Sequence, residues 1–250
     1  YNRRRDYKKG IFVNINILAL DPAFRNVGVS IFAYDTVQDT YKLIKTDLIH
    51  TKDQRPKTVP RIATKVVKNK ITGTEKTVKV KSKRRGNAGD DHREAIVYIV
   101  NEIKRIVTEN NIDLFMAELP TGSMNAKSAW LLGMSFGICM TYTTAFNFPF
   151  IPLTPMAIKH TVRPLCERYL GTQFGKGEEP SKEQIMEVVA KLFPTSTESF
   201  IRKFKNGRAD EVESHFEHVS DSIIVFLTGI TSDAFTHQVQ EIINKREAGV

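Results

Sequence analysis

Residues 15–21 read INILALD, a short and mostly apolar segment that ends in a carboxylate. Its aliphatic side chains favour a buried β-strand. Residues 27–34 (VGVSIFAY) and 41–49 follow with a similar β-rich pattern, and only short polar gaps separate the three segments. Together they predict an antiparallel meander whose first strand holds Asp21 rigidly at its end.

Helices and further strands alternate along the rest of the chain. Apolar residues recur at helical spacing over 96–107, and DLFMA at 113–117 predicts a buried strand that ends at Glu118. Further predictions are helices over 126–144, from 155, over 185–193, 212–228 and 234–245, a strand over 150–153, and an irregular basic stretch over 194–207. This order predicts an α/β fold with a mixed sheet. A single domain over residues 1–250, with an inserted arm at 52–89, fits better than two domains.

The net charge of +9 is concentrated in one segment of the chain. Residues 52–93 contain fourteen basic and four acidic residues, a net +10, whereas the remainder contains 23 basic and 24 acidic residues. Concentrated positive charge indicates a polyanionic partner. Apolar and basic residues partly alternate on both sides of Thr72, Gly73 and Thr74, which predicts a cationic β-hairpin. A disordered basic loop is the alternative, and both interpretations leave the segment extended and positive.

Composition excludes several classes of protein. A hydrophobic fraction of 41% is sufficient for a folded core, and the longest apolar runs fall short of a membrane span. The charged start of the chain does not resemble a signal peptide. Cys139 and Cys166 form neither a disulfide framework nor a metal-binding spacing, so we expect an intracellular, reducing compartment. Gly28 belongs to no phosphate-binding loop motif.

Carboxylates at the ends of strands are candidate metal ligands. Asp21 and Glu118 each follow an apolar strand, and a proline comes soon after each. Two such strands lying side by side would bring the carboxylates close together, where each raises the pKa of the other unless a cation lies between them. Oxygen ligands with open positions suit Mg²⁺, with Mn²⁺ as a substitute.

A predicted helix adds three polar side chains. His218 and Asp221 are three residues apart and share a face, and Glu217 is a candidate extra ligand. Taken singly, each residue also fits an acidic helix start that the helix dipole favours. Combined with the strand ends and the basic segment, they favour two-metal phosphodiester hydrolysis, with the metals about 3.5–4 Å apart. A zinc pair of His215 and His218 has no accompanying cysteine or HExxH motif and is not favoured.

The predicted helix over 126–144 contains Gly133 and Gly137. Glycines at helical spacing indicate close helix packing, either within the chain or against a second copy. Trp130 on the same helix is predicted to belong to the core rather than to stack on bases. His92, which flanks the basic segment, is expected to face solvent.

Five segments, in order over about residues 15–230, resemble the motifs of the RuvC-type Holliday junction resolvases. They are ILALDPA at 17–23 with NVG at 26–28, Glu118 with NAKSA at 125–129 and LG at 132–133, PMAIKHTV at 155–162, KEQI at 182–185, and HVSDS at 218–222. Each motif is weak alone, and the ordered set is fairly specific.

The resemblance implies an RNase H-like fold with a five-stranded sheet, a homodimer, and Mg²⁺-dependent paired nicking of four-way junctions. It carries over Lys159 and Lys182 as DNA contacts. It also carries over four metal-binding and catalytic residues, namely Asp21, Glu118, His218 and Asp221.

The chain departs from the bacterial members of that family in two places. The arm at 52–89 is far longer than the corresponding link. The residues after Glu118 are LPTGSM, without the aromatic residue that inserts at the junction centre in bacterial members, and Met124 is a candidate apolar wedge in its place. These departures are more typical of a divergent viral or organellar member.

The leading prediction is therefore a metal-dependent, structure-selective endodeoxyribonuclease that resolves four-way junctions. Two alternatives stay open: a nuclease of the same fold that cuts branched or flapped DNA more broadly, and a nuclease-dead DNA-binding module. In each case the basic segment would contact phosphates through Lys68, Lys70, Lys79, Lys81, Lys83, Arg84 and Arg85.

Overall fold

The computed structural model describes residues 13–51, 61–68, 75–82, 88–119, 126–204 and 209–249. The strands are β1 (Asn14–Asp21), β2 (Asn26–Asp35), β3 (Thr40–His50), β4 (Arg61–Lys68), β5 (Glu75–Ser82), β6 (Leu114–Glu118) and β7 (Phe150–Leu153). The helices are α1 (Ala88–Asn110), α2 (Ala126–Phe146), α3 (Pro155–Leu170), α4 (Lys182–Leu192), α5 (Pro194–Phe204), α6 (Ala209–Gly229) and α7 (Asp233–Glu247).

The main sheet has five strands in the order β3-β2-β1-β6-β7. The predicted meander is confirmed, because β2 pairs antiparallel with both β1 and β3. Strands β1, β6 and β7 are mutually parallel, so their carboxyl ends meet at one edge of the sheet. We call this the carboxyl edge. It also holds the start of β2 and the end of β3.

Side chains of the central strand alternate between two hydrophobic layers, as the pleat of a strand requires. Ile17 and Ala19 belong to the layer that packs under α3 to α7, and Leu18 and Leu20 belong to the layer under α1 and α2. All four side chains are fully buried. Both faces of the sheet are therefore covered by helices, which explains why β1 is apolar almost throughout.

Helix α5 corrects the sequence prediction, which expected an irregular stretch over 194–207. Pro194 occupies the first helical position, where its missing N–H costs nothing. Thr197 and Phe200, three residues apart, are both buried, and the Phe200 ring packs beside Phe216 of α6. The polar composition of this segment conceals a short apolar stripe that is sufficient to dock the helix.

The basic segment contains two paired strands. Strands β4 and β5 run antiparallel, from Arg61 opposite Ser82 to Lys68 opposite Glu75. Their side chains, and residues 52–60, 69–74 and 83–87, lie outside the described residues. The hairpin's role as a cationic arm therefore stays a prediction.

The outer face of α2 differs from the sequence predictions. A methyl group added at Gly133 or Gly137 would have no described atom within 4 Å, so neither glycine marks close packing within the chain. Trp130 was expected in the core but is 49% exposed, whereas His92, expected at the surface, is buried against it. Among the described helices, none is both long enough and apolar enough to cross a membrane.

Candidate metal centre

Two acidic residues end adjacent parallel strands at the carboxyl edge. Leu20 of β1 is in register with Ala117 of β6, so Asp21 and Glu118 are the next residues on neighbouring strands. Both side chains are half-buried. The two predicted carboxylates therefore lie side by side, because adjacent parallel strands end at the same edge of the sheet.

Helix α6 crosses the sheet beside these strand ends because β2 has a glycine at the crossing. Gly28 pairs with Asp21 across the β1–β2 ladder. A methyl group at Gly28 would lie only 1.8 Å from the carbonyl oxygen of His218. The backbone of α6 thus reaches the backbone of β2, an approach that only a residue without Cβ allows.

The close crossing brings a histidine and an aspartate of α6 to Asp21. His218 Nδ1 lies 2.7 Å from Asp21 Oδ2, within hydrogen-bonding distance. Asp21, His218 and Asp221 each offer a ligand atom, and these atoms all lie within 4.8 Å of one another. In the part of the chain that the structure describes, this is the one group of three or more such donors. Glu118 lies outside the group but beside Asp21.

Burial and mutual repulsion leave two carboxyls of the site poorly suited to carry charge. Burial, followed by the negative charges of Asp21 and Glu217, raises the pKa of Asp221 to about 7. Burial and then Asp21 raise the pKa of Glu118 to about 6. A cation between these carboxyls would relieve both the desolvation and the repulsion.

The surroundings of His218 also favour positive charge at this site. Burial opposes the charged form of the imidazole, but the hydrogen bond to Asp21 and the surrounding carboxylates outweigh it, so the pKa of His218 is raised. The neighbouring carboxylates thus favour the charged form of the imidazole, as they would favour a bound cation. The bond to Asp21 also fixes the orientation of the ring, as carboxylates commonly do for metal-binding histidines.

Lys182 belongs to the charge balance of the centre. It was expected only as a DNA contact, yet its ammonium group, at the first residue of α4, donates a hydrogen bond to the Glu217 carboxylate. That bond, with further help from Asp221 and Asp21, raises the pKa of Lys182 against the opposing effect of burial. Glu217, a candidate extra ligand, is therefore held by an ammonium group in this structure. A spacing of 35 residues gives no sequence signal for such a contact.

The other predicted DNA contacts are not brought into the cluster. Lys159 Nζ makes a 2.6 Å ion pair with Glu179, and both side chains are more than half exposed. The backbone of Lys68, Lys79 and Lys81 is described without their side chains. Met124 and the remaining predicted contacts, Lys70, Lys83, Arg84 and Arg85, lie outside the described residues.

The donor set fits a hard divalent cation. Carboxylate oxygens, which form most of this donor set, are the ligands that Mg²⁺ and Mn²⁺ prefer. Cys139 and Cys166 are both buried in the hydrophobic layers, so neither offers a thiolate to this centre. The arrangement is thus a carboxylate–histidine group suited to metal binding.

Comparison with known proteins gives a fold but no close relative. No protein-family model matches the chain, and no curated protein matches it either. RuvC of T. thermophilus, solved in complex with a Holliday junction substrate, superposes with a TM-score of 0.51 and 13% identity over 90% of this chain and 96% of RuvC.

Two further solved structures are similar at lower scores. The yeast mitochondrial Holliday junction resolvase Ydc2 has a TM-score of 0.47 and 12% identity, over 98% of this chain and 88% of Ydc2. The fowlpox virus Holliday junction resolvase has a TM-score of 0.42 and 12% identity, over 86% of this chain and 97% of the viral protein. The chain thus has an RNase H-like α/β fold that is structurally similar to the RuvC-type Holliday junction resolvases.

Proposed function

We propose that this protein is a divalent-metal-dependent endonuclease that cuts branched DNA, with four-way junctions as its main substrate. The observation that carries the proposal is the convergence of Asp21, His218 and Asp221, with Glu118 on the next strand, at the carboxyl edge of an RNase H-like sheet. The similarity of the fold to a resolvase solved with its junction substrate supports it.

The four residues Asp21, Glu118, His218 and Asp221 would hold the metal ions. Bound Mg²⁺ or Mn²⁺ supplies Lewis acidity at the phosphate and lowers the pKa of water for phosphodiester hydrolysis. The protein contributes the geometry: Asp21 fixes the His218 ring, and the close crossing at Gly28 fixes α6. Lys182, beside the carboxylates, would exchange Glu217 for a DNA phosphate.

The basic segment leaves and re-enters the fold at the carboxyl edge. At its start, the Thr51 backbone N–H donates a hydrogen bond to the carbonyl of Arg25, which lies in the connection between β1 and β2, four residues after Asp21. At its end, α1 begins at Ala88, and the ring of His92 in that helix lies 5.4 Å from the ring of Phe24. A segment anchored at both ends beside the metal centre is well placed to contact the phosphates of DNA bound there.

A second copy of the chain would bind along α2. The helix has no charged residue after Lys127, and its outer face exposes Gly133, Gly137 and Met140. Small and apolar residues on one face allow two identical helices to pack closely across a twofold axis. Two symmetric nicks require two metal centres, one from each copy of the chain, that face the same junction. A monomer in light scattering, both alone and with DNA, would contradict this part of the proposal.

A broader specificity for flaps and three-way branches is the second candidate. The stretch LPTGSM after Glu118 favours it, because that stretch lacks an aromatic side chain for the junction centre. The third possibility, a nuclease-dead binding module, predicts DNA binding without cleavage.

One cleavage experiment separates these functions. Four-way, three-way, flapped and linear DNA of shared sequence are incubated with the protein in Mg²⁺, Mn²⁺ or EDTA. We expect paired metal-dependent nicks in the four-way junction and loss of cutting in the Asp21→Asn/Glu118→Gln double variant. The matched control is Asp233→Asn/Glu241→Gln, two exposed carboxylates of α7, which should cut normally. If the wild type cuts no branched DNA, the proposed nuclease activity is wrong. If the Asp21→Asn/Glu118→Gln variant still cuts, the proposed catalytic site is wrong.

A further inference from the structure

We propose that Trp130 is a DNA-binding residue whose indole ring stacks on an unstacked base at the branch point, beside the metal centre. The inference rests on the proposed function and specifies the feature of branched DNA that the protein recognises. Trp130 is the only tryptophan of the chain. Its side chain is 49% exposed, although the sequence pattern favoured a core position.

Trp130 lies at the same edge of the sheet as the candidate metal ligands. Helix α2 begins eight residues after Glu118, the last residue of β6, and Trp130 is in its second turn. A helix that follows a strand and packs back on the sheet starts near the carboxyl end of that strand. Trp130 therefore lies at the end of α2 that is nearest the carboxyl edge, where β1 and β6 end in Asp21 and Glu118.

A row of buried rings holds the inner side of Trp130. The His92 ring packs edge-on against it with a centroid distance of 4.9 Å, and Phe24 packs edge-on against His92 at 5.4 Å. His92 is only 9% exposed and Phe24 only 6%. Phe24 follows Asp21 by three residues, so the row connects the tryptophan to the loop that follows a metal ligand. The indole is supported from within and open on its outer side.

The chemistry of the surroundings favours a nucleic-acid base as the occupant. The segment with a net charge of +10 follows Thr51 and continues into the start of α1, both at this edge, so polyanionic DNA is attracted here. Base–aromatic stacking tolerates any sequence because every base has a π-face. Bases inside a linear duplex are already stacked on each other, whereas a branch point exposes unstacked faces. An exposed and supported indole therefore selects branched over linear DNA.

The test uses the intrinsic fluorescence of this single tryptophan. The Asp21→Asn/Glu118→Gln protein, which should not cut, is titrated with a synthetic four-way junction and with linear duplex of the same sequence. We expect the junction to quench the emission of Trp130 and the duplex to change it little. Trp130→Ala should weaken junction binding about 5- to 150-fold, the range that loss of one base–aromatic stack gives. It should leave duplex binding within about twofold, and Trp130→Phe should restore most of the loss.

Phe146 provides a matched control. It lies at the other end of α2 and is also 49% exposed, but it is remote from the carboxyl edge. Phe146→Ala should bind the junction as the wild type does.

Three results would overturn the inference. Junction binding unaffected by Trp130→Ala, with metal-dependent cleavage intact, would refute stacking and leave the proposed function standing. Conversion of the dimer to a monomer by Trp130→Ala, seen in light scattering without DNA, would assign the indole to the contact with a second copy of the chain. If the wild type binds no branched DNA, both the inference and the proposed function are wrong.

Discussion

Gly28→Ala should disable the metal centre without touching a ligand. The added Cβ would lie 1.8 Å from the carbonyl oxygen and 2.4 Å from the carbonyl carbon of His218. Since Cβ atoms essentially never approach closer than 3.0 Å, the α6 backbone must retreat by at least the 1.2 Å difference. The neighbour is backbone rather than a flexible side chain, so no rotamer change can absorb the clash.

The retreat would carry His218 and Asp221 away from Asp21. A misplacement of about 1 Å typically costs about a hundredfold in rate. Overpacking of this kind also destabilises a protein by roughly 1–3 kcal/mol, which for about 250 residues is a fall in Tm of roughly 2–12 °C. We therefore expect Gly28→Ala to remain folded, to cut about 100-fold more slowly at saturating junction DNA, and to bind Mn²⁺ more weakly.

The assay combines single-turnover cleavage, calorimetric Mn²⁺ titration and thermal unfolding. Junction affinity in EDTA should stay within about twofold, because the DNA contacts are elsewhere. Gly175→Ala is the matched control, since its methyl group would meet only the flexible end of the Glu178 side chain. It should bind Mn²⁺ and cut junction DNA as the wild type does. If Gly28→Ala binds Mn²⁺ and cuts DNA as the wild type does, the close contact between β2 and α6 is not what positions the metal centre.

Three further predictions concern charge. The Asp221 carboxyl has an ordinary pKa of 3.8 and a folded pKa of about 7, so the folded state binds more protons than the unfolded state between these pH values. The thermal stability of the metal-free protein should therefore fall as the pH rises from about 4 to about 7. Asp221→Asn should flatten that decline. Lys182→Gln should weaken junction binding and reduce the log–log salt slope by about 0.9, while Lys191→Gln on the same helix should do neither; equal slopes for the two variants would exclude Lys182 as a phosphate contact. If the basic segment neutralises about six phosphates, the wild-type slope should be roughly −5, and deletion of residues 55–85 should flatten it while Mn²⁺ affinity is retained; an unchanged slope would contradict the role of the arm.

Much of the fold could be predicted from local sequence pattern. The strands around Asp21 and Glu118 are apolar because helices cover both faces of the sheet, and a strand of this kind is visible in seven or eight residues. The convergence of Asp21 with Glu118 followed from placing two such strand ends together. His218 and Asp221 share a helix face by spacing alone.

The features that escaped prediction depend on contacts between distant segments. Gly28 and His218 are 190 residues apart, and only the assembled fold shows that a glycine admits the helix. Periodicity could not place Trp130, because α2 is apolar on all sides and so has no polar face to identify the surface. Helix α5 escaped because Thr197 contributes a buried position that composition counts as polar.

The most direct test of the proposed metal centre is a crystal structure of the protein soaked in Mn²⁺, with anomalous scattering used to locate the ions. We predict a manganese peak coordinated directly by Asp21, His218 and Asp221, with Glu118 completing its surroundings or binding a second ion. Lys182 should remain close to Glu217 rather than among the metal ligands. Absence of manganese from this cluster at saturating concentration, or a peak bound elsewhere with these side chains unchanged, would contradict the assignment of the carboxyl edge as a metal-dependent nuclease site.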